Sequence, residues 1–267
     1  MAYKLVAVDI DGTLVDADLL VEPATRRALQ QCVKQGVRVT LATGRMFRSA
    51  LPFAREVGIC APLITYNGAL VKDPASGEIY HHRTVPLHLA RRVIGLCREM
   101  NLQLNVYLDD ECYVEEYNGW SQIYEDIAGI STRAIGDLEK FLVREPTKFI
   151  IAATPEELDK YTDVLRERLA RDLYLTRSRP IFVEIHHPAV SKAEGLRVLG
   201  EHYGIELAEM MAVGDADNDV EMLQAAGLGV AMGNAPAKVQ KEADWVTASI
   251  QEGGLVTALE KFILGDN

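Results

Sequence analysis

The chain is poor in the features that mark several protein classes. Of its 267 residues only four are cysteine, Cys32, Cys60, Cys97 and Cys112. None forms a CxxC pair and none has a histidine nearby at metal-ligand spacing, so reduced thiols in a cytoplasmic protein are expected rather than a disulfide framework or a zinc site. No apolar run reaches the roughly 18 residues that a membrane helix needs. Residues 1–20 contain Asp9, Asp11, Asp16 and Asp18, so an uncharged signal-peptide core is not expected there. Positive charge is also scarce: 28 Lys+Arg stand against 39 Asp+Glu, a net charge of −11. That balance disfavours nucleic acid and anionic membranes as partners, because both need clustered Lys and Arg. A small anionic substrate is still admitted, since it responds to local charge. What is present is ordinary globular stock, 48% hydrophobic and 25% charged, in a chain long enough for about two domains and able to fold without a metal or disulfide staple.

Residues 4–10 (KLVAVDI) form a short apolar run that reads as a buried parallel strand. A helix is predicted over 23–35, with proline at its first turn and Gly36 after it. A strand follows at 37–41, a helix at 46–57 closed by Gly58, and a short strand at 63–65 before the Asn67-Gly68 turn signal. This alternation predicts a doubly wound, Rossmann-like parallel sheet with crossover helices. From about residue 85 the pattern changes to a helix at 86–100 and strands at 102–108 and 112–117. The same order recurs as a helix at 155–171 and strands at 173–176 and 181–185. Two such helix–hairpin units suggest one inserted α+β domain. After Pro188 the first pattern resumes, with helices at 191–203, 219–226 and 254–264 and strands at 210–213, 229–232 and 245–246. The expected architecture is an α/β core from residues 1–84 and 188–267, with an α+β domain inserted at 85–187.

In doubly wound sheets ligands bind beyond the carboxyl ends of the strands. The first strand ends in Asp9-Ile10-Asp11-Gly12-Thr13, the second in Ala42-Thr43-Gly44-Arg45, and the strand at 210–213 in Gly214-Asp215-Ala216-Asp217-Asn218-Asp219. Lys192 opens a helix that can face the same edge. Taken singly these are ordinary features: a turn, a strand-to-helix connection, a solvated lysine, an N-cap. Together at strand ends they read as a site. Asp9 and Asp11 project to the same side while the chain stays extended. Two such carboxylates repel unless a cation lies between them or one keeps a proton. With Asp215 they make a hard oxygen donor set that suits Mg²⁺ better than zinc. A lysine and strand-end amides beside it suit an anionic phosphoryl group. Asp217 reads as a solvated loop residue, His81-His82 and His186-His187 as loop or strand-end pairs, and Tyr107, Tyr113, Tyr117 and Trp120 as packing.

On these residues the chain resembles the haloacid dehalogenase superfamily, specifically its Cof-type (class IIB) phosphatases. Asp9-Ile10-Asp11-Gly12-Thr13-Leu14 is similar to the first family motif, and Ala42-Thr43-Gly44-Arg45 to the second. Ser191-Lys192-Ala193 is similar to the third, and Gly214-Asp215-Ala216-Asp217-Asn218-Asp219-Val220-Glu221-Met222 to the fourth. Tyr66-Asn67-Gly68-Ala69 and Gly229-Val230-Ala231-Met232-Gly233-Asn234-Ala235 also resemble the subfamily.

The resemblance implies a Rossmann-like core with an inserted α+β cap domain, and a phosphatase acting on small phosphorylated metabolites. Asp9 would be the nucleophile that becomes aspartyl-phosphate. Asp11 would serve as acid and then base. Mg²⁺ would be held by the Asp9 carboxylate, the Asp11 backbone carbonyl and the Asp215 carboxylate. The Ile10 and Gly44 amides, Thr43, Lys192 and Asn218 would bind phosphate oxygens, with Arg45 beside them. Asp219 would orient Lys192 or a metal-bound water. Ile10 stands where leucine is commoner, but only its backbone is used. An overhanging cap, moving about linkers near 83–86 and 186–190, would disfavour macromolecular substrates. Sugar phosphates, nucleotides, flavin mononucleotide and pyridoxal phosphate all stay open, as does a monomeric or dimeric state. Two alternatives remain: a phosphomutase on sugar phosphates, and a non-catalytic phosphate-ligand sensor.

Overall fold

The computed structural model describes residues 3–265. The chain divides into two compact units, Met1–His82 with Ser191–Asn267, and Arg83–Val190. The changeovers fall at 82/83 and 190/191, where the sequence reading put them at 84/85 and 187/188.

The first unit begins with β1 (Leu5–Val8), α1 (Pro23–Lys34), β2 (Arg38–Leu41), α2 (Phe47–Val57), β3 (Leu63–Thr65), β4 (Leu70–Lys72) and β5 (Ile79–His82). The second unit holds α3 (Leu87–Glu99), β6 (Gln103–Leu108), β7 (Glu111–Val114), α4 (Gly119–Ala128), β8 (Thr132–Ala134) and α5 (Leu138–Phe141). It continues with β9 (Lys148–Ala152), α6 (Pro155–Leu169), β10 (Tyr174–Arg179) and β11 (Phe182–His186). The first unit then resumes with α7 (Lys192–Tyr203), β12 (Met210–Gly214), α8 (Val220–Ala225), β13 (Leu228–Ala231), α9 (Ala237–Gln240), β14 (Trp245–Val246) and α10 (Gly254–Leu259). The expected terminal helix over 254–264 changes character inside: after Leu259 the backbone widens into a π turn over Glu260–Leu264.

The core sheet is parallel throughout, in the order β14-β13-β12-β1-β2. All four residues of β1 are buried, as expected of a central strand covered on both faces. Val8 lies level with Val213 on one side and Leu41 on the other. Asp9, Gly214 and Ala42 therefore leave the sheet at the same edge. The chain winds from β1 to β2 in one direction and from β12 to β13 in the other, so the edge beside β1 and β12 is where strand order reverses. Helix α7 is anchored by Leu196 and Leu199, both fully buried in the core of this unit. Each contributes about 1.5–3 kcal/mol, and Ser191 caps the helix by accepting from the Glu194 amide.

The short strand at 63–65 is not another member of the parallel sheet, as the sequence pattern suggested. β3 pairs antiparallel with β4, and β4 with β5, in a separate three-stranded sheet. Among the described residues one isolated parallel bridge, Ala42 with Ile64, joins it to the main sheet. The reason is local: the turn at 66–68 reverses the chain at once, so β4 returns beside β3. β4 and β5 escaped the sequence reading because they are short and β5 (IYHH) has no buried face.

The second unit is built on one six-stranded sheet, ordered β10-β11-β9-β6-β7-β8. The two helix–hairpin units are α3–β6–β7 and α6–β10–β11, with the wholly buried β9 (KFIIA) between their hairpins. Its own core packs Leu104, Val106, Phe149, Ile151, Val183 and Ile185 with apolar residues of α3 and α6. Capping boxes at Asn118 and Thr154 start α4 and α6. Among the described residues no helix is long and apolar enough to cross a membrane.

Candidate active site

The chain leaves β1 into a tight turn. The Ile10 carbonyl accepts from the Leu14 and Val15 amides, at 3.0 and 2.9 Å, and the Gly12 amide donates to the Val15 carbonyl at 2.8 Å. Gly12 takes a φ of +83°, and a β-carbon there would run into the Asp215 carboxylate. Only glycine fits this turn. Past the end of β1 the two aspartates have different surroundings. Asp9 turns inward and is 4% exposed, while the Asp11 side chain is 54% exposed.

Lys192, the first residue of α7, is wholly buried. Its Nζ donates to Asp9 Oδ1 and to Asp219 Oδ1, each at 2.6 Å. Burial acts to lower its pKa, but the Asp219 and Asp9 charges outweigh that and hold it above the ordinary lysine value. Asp219 Oδ2 accepts from the Asp215 and Ala216 amides at 3.0 and 2.9 Å, so both of its oxygens are engaged. Asp215 is held by Thr13, whose hydroxyl donates to Oδ1 at 3.3 Å. Carboxylate oxygens of Asp9, Asp215 and Asp219 lie within 4.8 Å of one another. The Asp11 carboxylate is not among them.

The β2 end supplies the other wall. Thr43 is fully buried, its hydroxyl accepts from the Arg45 amide at 3.1 Å, and Gly44 lies beside Asn67. Arg45 forms a two-pronged pair with Asp11, Nε to Oδ2 at 2.8 Å and Nη2 to Oδ1 at 2.5 Å. Asn218, in the turn over Asp217–Asp219, donates from Nδ2 to Asn67 Oδ1 at 2.8 Å. Asp217 points to solvent, paired with Lys238.

Two asparagines with no role in the sequence reading join this set. Asn67 is the partner of Asn218. Asn234 donates to the Gly12 carbonyl at 2.9 Å and to Asp215 Oδ2 at 3.3 Å, and accepts from the Ile250 amide at 2.9 Å. Asn67-Gly68 was visible as a turn signal and Asn234 as part of a stretch resembling the family, but their side-chain partners lie far off in sequence.

The negative charge here is under-compensated. Burial, only partly opposed by Lys192, pushes the Asp9 carboxyl well above its usual value. Burial and the neighbouring Asp219 charge push Asp215 up to about 6. A cluster of oxygen donors with one lysine fits a further cation, and Asp9, Asp215 and Asp219 could hold a metal ion.

Comparison with known proteins identifies the family. Residues 6–259 match the family described as haloacid dehalogenase-like hydrolase. The 5-amino-6-(5-phospho-D-ribitylamino)uracil phosphatase YitU of Bacillus subtilis is 30% identical over 263 residues, covering 97% of each chain. The HMP-PP phosphatase of Serratia proteamaculans is 33% identical, over 87% of this chain and 85% of its own. Among solved structures, a sugar phosphatase of subclass IIB superposes with a TM-score of 0.82 at 27% identity, over 97% of this chain and 98% of its own. The chain belongs to the haloacid dehalogenase-like hydrolases, in their Cof-type phosphatase group.

Proposed function

We propose that the protein is a Mg²⁺-dependent phosphatase that hydrolyses small phosphorylated metabolites through a phosphorylated Asp9. One observation carries this reading: side chains from four distant stretches of chain converge, with Lys192 Nζ 2.6 Å from both Asp9 and Asp219. The Asp9 carboxylate attacks phosphorus, and the bond to the leaving oxygen breaks. Asp11 gives that oxygen its proton. It then takes a proton from a water that attacks the aspartyl-phosphate, which frees inorganic phosphate and restores Asp9. The exposure of Asp11 leaves it room to leave the Arg45 fork and meet the substrate. Arg45 is therefore read as orienting Asp11 rather than as a phosphate ligand. Lys192, the Thr43 hydroxyl, the Ile10 and Gly44 amides and Asn218 would hold the phosphate oxygens.

Mg²⁺ would be held by Asp9, Asp215 and the Asp11 backbone carbonyl, and would supply charge neutralisation between nucleophile and phosphate dianion. Asp219 is better suited to orienting Lys192 and the 215–216 amides, because its oxygens are already engaged. The names of the relatives favour a small metabolite, and free cysteines suit a reducing compartment. The test is a phosphate-release screen across phosphorylated metabolites with and without Mg²⁺. Release from several phosphomonoesters, lost with chelator, is the expected result, and release from none would refute the reading.

The raised Asp215 pKa makes a second expectation about the metal-free protein. A carboxyl that titrates near 6 when folded and near 3.8 when unfolded binds extra protons in the folded state. Its contribution to stability is full below about pH 4 and is lost as pH rises through about 6. After chelation, Asp215→Asn should melt above the wild type at pH 8, and the gap should close toward pH 4. A difference in melting temperature that is flat across this range would contradict the assignment.

A further inference from the structure

The turn after β3 breaks the usual backbone rules. Tyr66, Asn67 and Gly68 take φ values of +53°, +59° and +99° in succession. Left-handed backbone is costly for any residue with a β-carbon, and most unusual for a buried aromatic such as Tyr66. Strain of this kind persists only where the surroundings impose it, and it gathers at functional sites.

The surroundings are the phosphate-binding stretches proposed above. The Tyr66 amide donates to the Arg45 carbonyl and the Asn67 amide to the Thr43 carbonyl, both at 2.9 Å. Gly68 lies so close to the Ser191 carbonyl that no β-carbon fits, and Lys192 follows directly. The buried Asn67 side chain accepts from Asn218 Nδ2 at 2.8 Å. One turn therefore braces the loops that carry Thr43, Lys192 and Asn218.

The backbone alone would be satisfied more cheaply by glycine at position 67, so the asparagine side chain is there for another reason. An amide has an anion-repelling end and an anion-binding end. Asn67 Oδ1 can only accept, so it fixes the Asn218 amide with its nitrogen inward and leaves the second hydrogen on that nitrogen for an anion. We infer that Asn67 is a positioning residue, which orients Asn218 so that the pocket presents N–H rather than C=O to the incoming phosphoryl group. The inference rests on the phosphatase reading.

Asn67→Gly separates the side chain from the turn, because glycine keeps the left-handed backbone and both amide hydrogen bonds. The probe is inorganic phosphate, titrated calorimetrically in the presence of Mg²⁺ against the wild type, Asn67→Gly, Asn218→Ala and the double variant. Asn67→Gly should melt at or above the wild-type temperature and bind phosphate about tenfold more weakly. It should raise KM for a phosphomonoester more than it lowers kcat. On the Asn218→Ala background it should cost nothing further, since a residue acting through its partner is silent once the partner is gone. Phosphate binding within twofold of wild type, losses that multiply in the double variant, or a large drop in melting temperature would each overturn the inference while leaving the phosphatase reading intact. A wild-type protein that neither binds nor releases phosphate would overturn that reading, and this inference with it.

Discussion

Asp9→Asn should leave a folded protein that releases phosphate at least about a thousandfold more slowly, a barrier increase of roughly 4 kcal/mol. The substitution keeps the shape and an oxygen able to accept from Lys192, but removes the anion that attacks phosphorus. Folding should survive, because the carboxylate it replaces is buried and its charged form is disfavoured there. The metal-free variant should therefore melt no lower than the wild type. Phosphate-release assays paired with thermal melts check both halves. Turnover above a tenth of wild type would mean that Asp9 is not the nucleophile, whatever its surroundings.

Lys192→Met should be the most destabilising single change in the site. Methionine fills much of the same volume, but the fully buried ammonium is the counter-charge to Asp9 and Asp219. Removing one member of a buried charge network typically costs about 3–5 kcal/mol, because it strands the other charges. For a protein of this size that is a fall in melting temperature on the order of 10 °C. Adding Asp219→Asn should recover part of that stability, since it removes one stranded charge while keeping an acceptor for the 215–216 amides. Activity should be lost in both variants. A single variant that melts within about 2 °C of wild type would mean that the lysine is not the clamp its geometry indicates.

Much of the fold was legible because it rests on local rules. The buried run at β1, the proline at the start of α1 and the glycine after α2 each encode their element within a few residues. The site stretches were legible for the same reason: strand-end Asp, Thr and Gly fall where a doubly wound sheet places its ligands. The missed elements lacked such marks. β9 is a continuous apolar run buried on both faces, without the alternation that marks a strand, and β5 has almost no apolar face. The different fates of Asp9 and Asp11 were also invisible, because the partners that separate them, Lys192 for Asp9 and Arg45 for Asp11, lie far off in sequence.

Most of the elements, the family and the chemical character of the site could be read from the chain alone, because each is written in contiguous residues. Which side chains hold which depends on the folded arrangement. Lys192 spans Asp9 and Asp219, Arg45 holds Asp11, Asn67 turns Asn218, and Asn234 ties Gly12 to Asp215. These pairings join residues separated by anything up to more than two hundred positions. They exist because β1 and β12 lie side by side at the reversal of the sheet, and hydrogen bonds and charge act over distances in space, not along the chain.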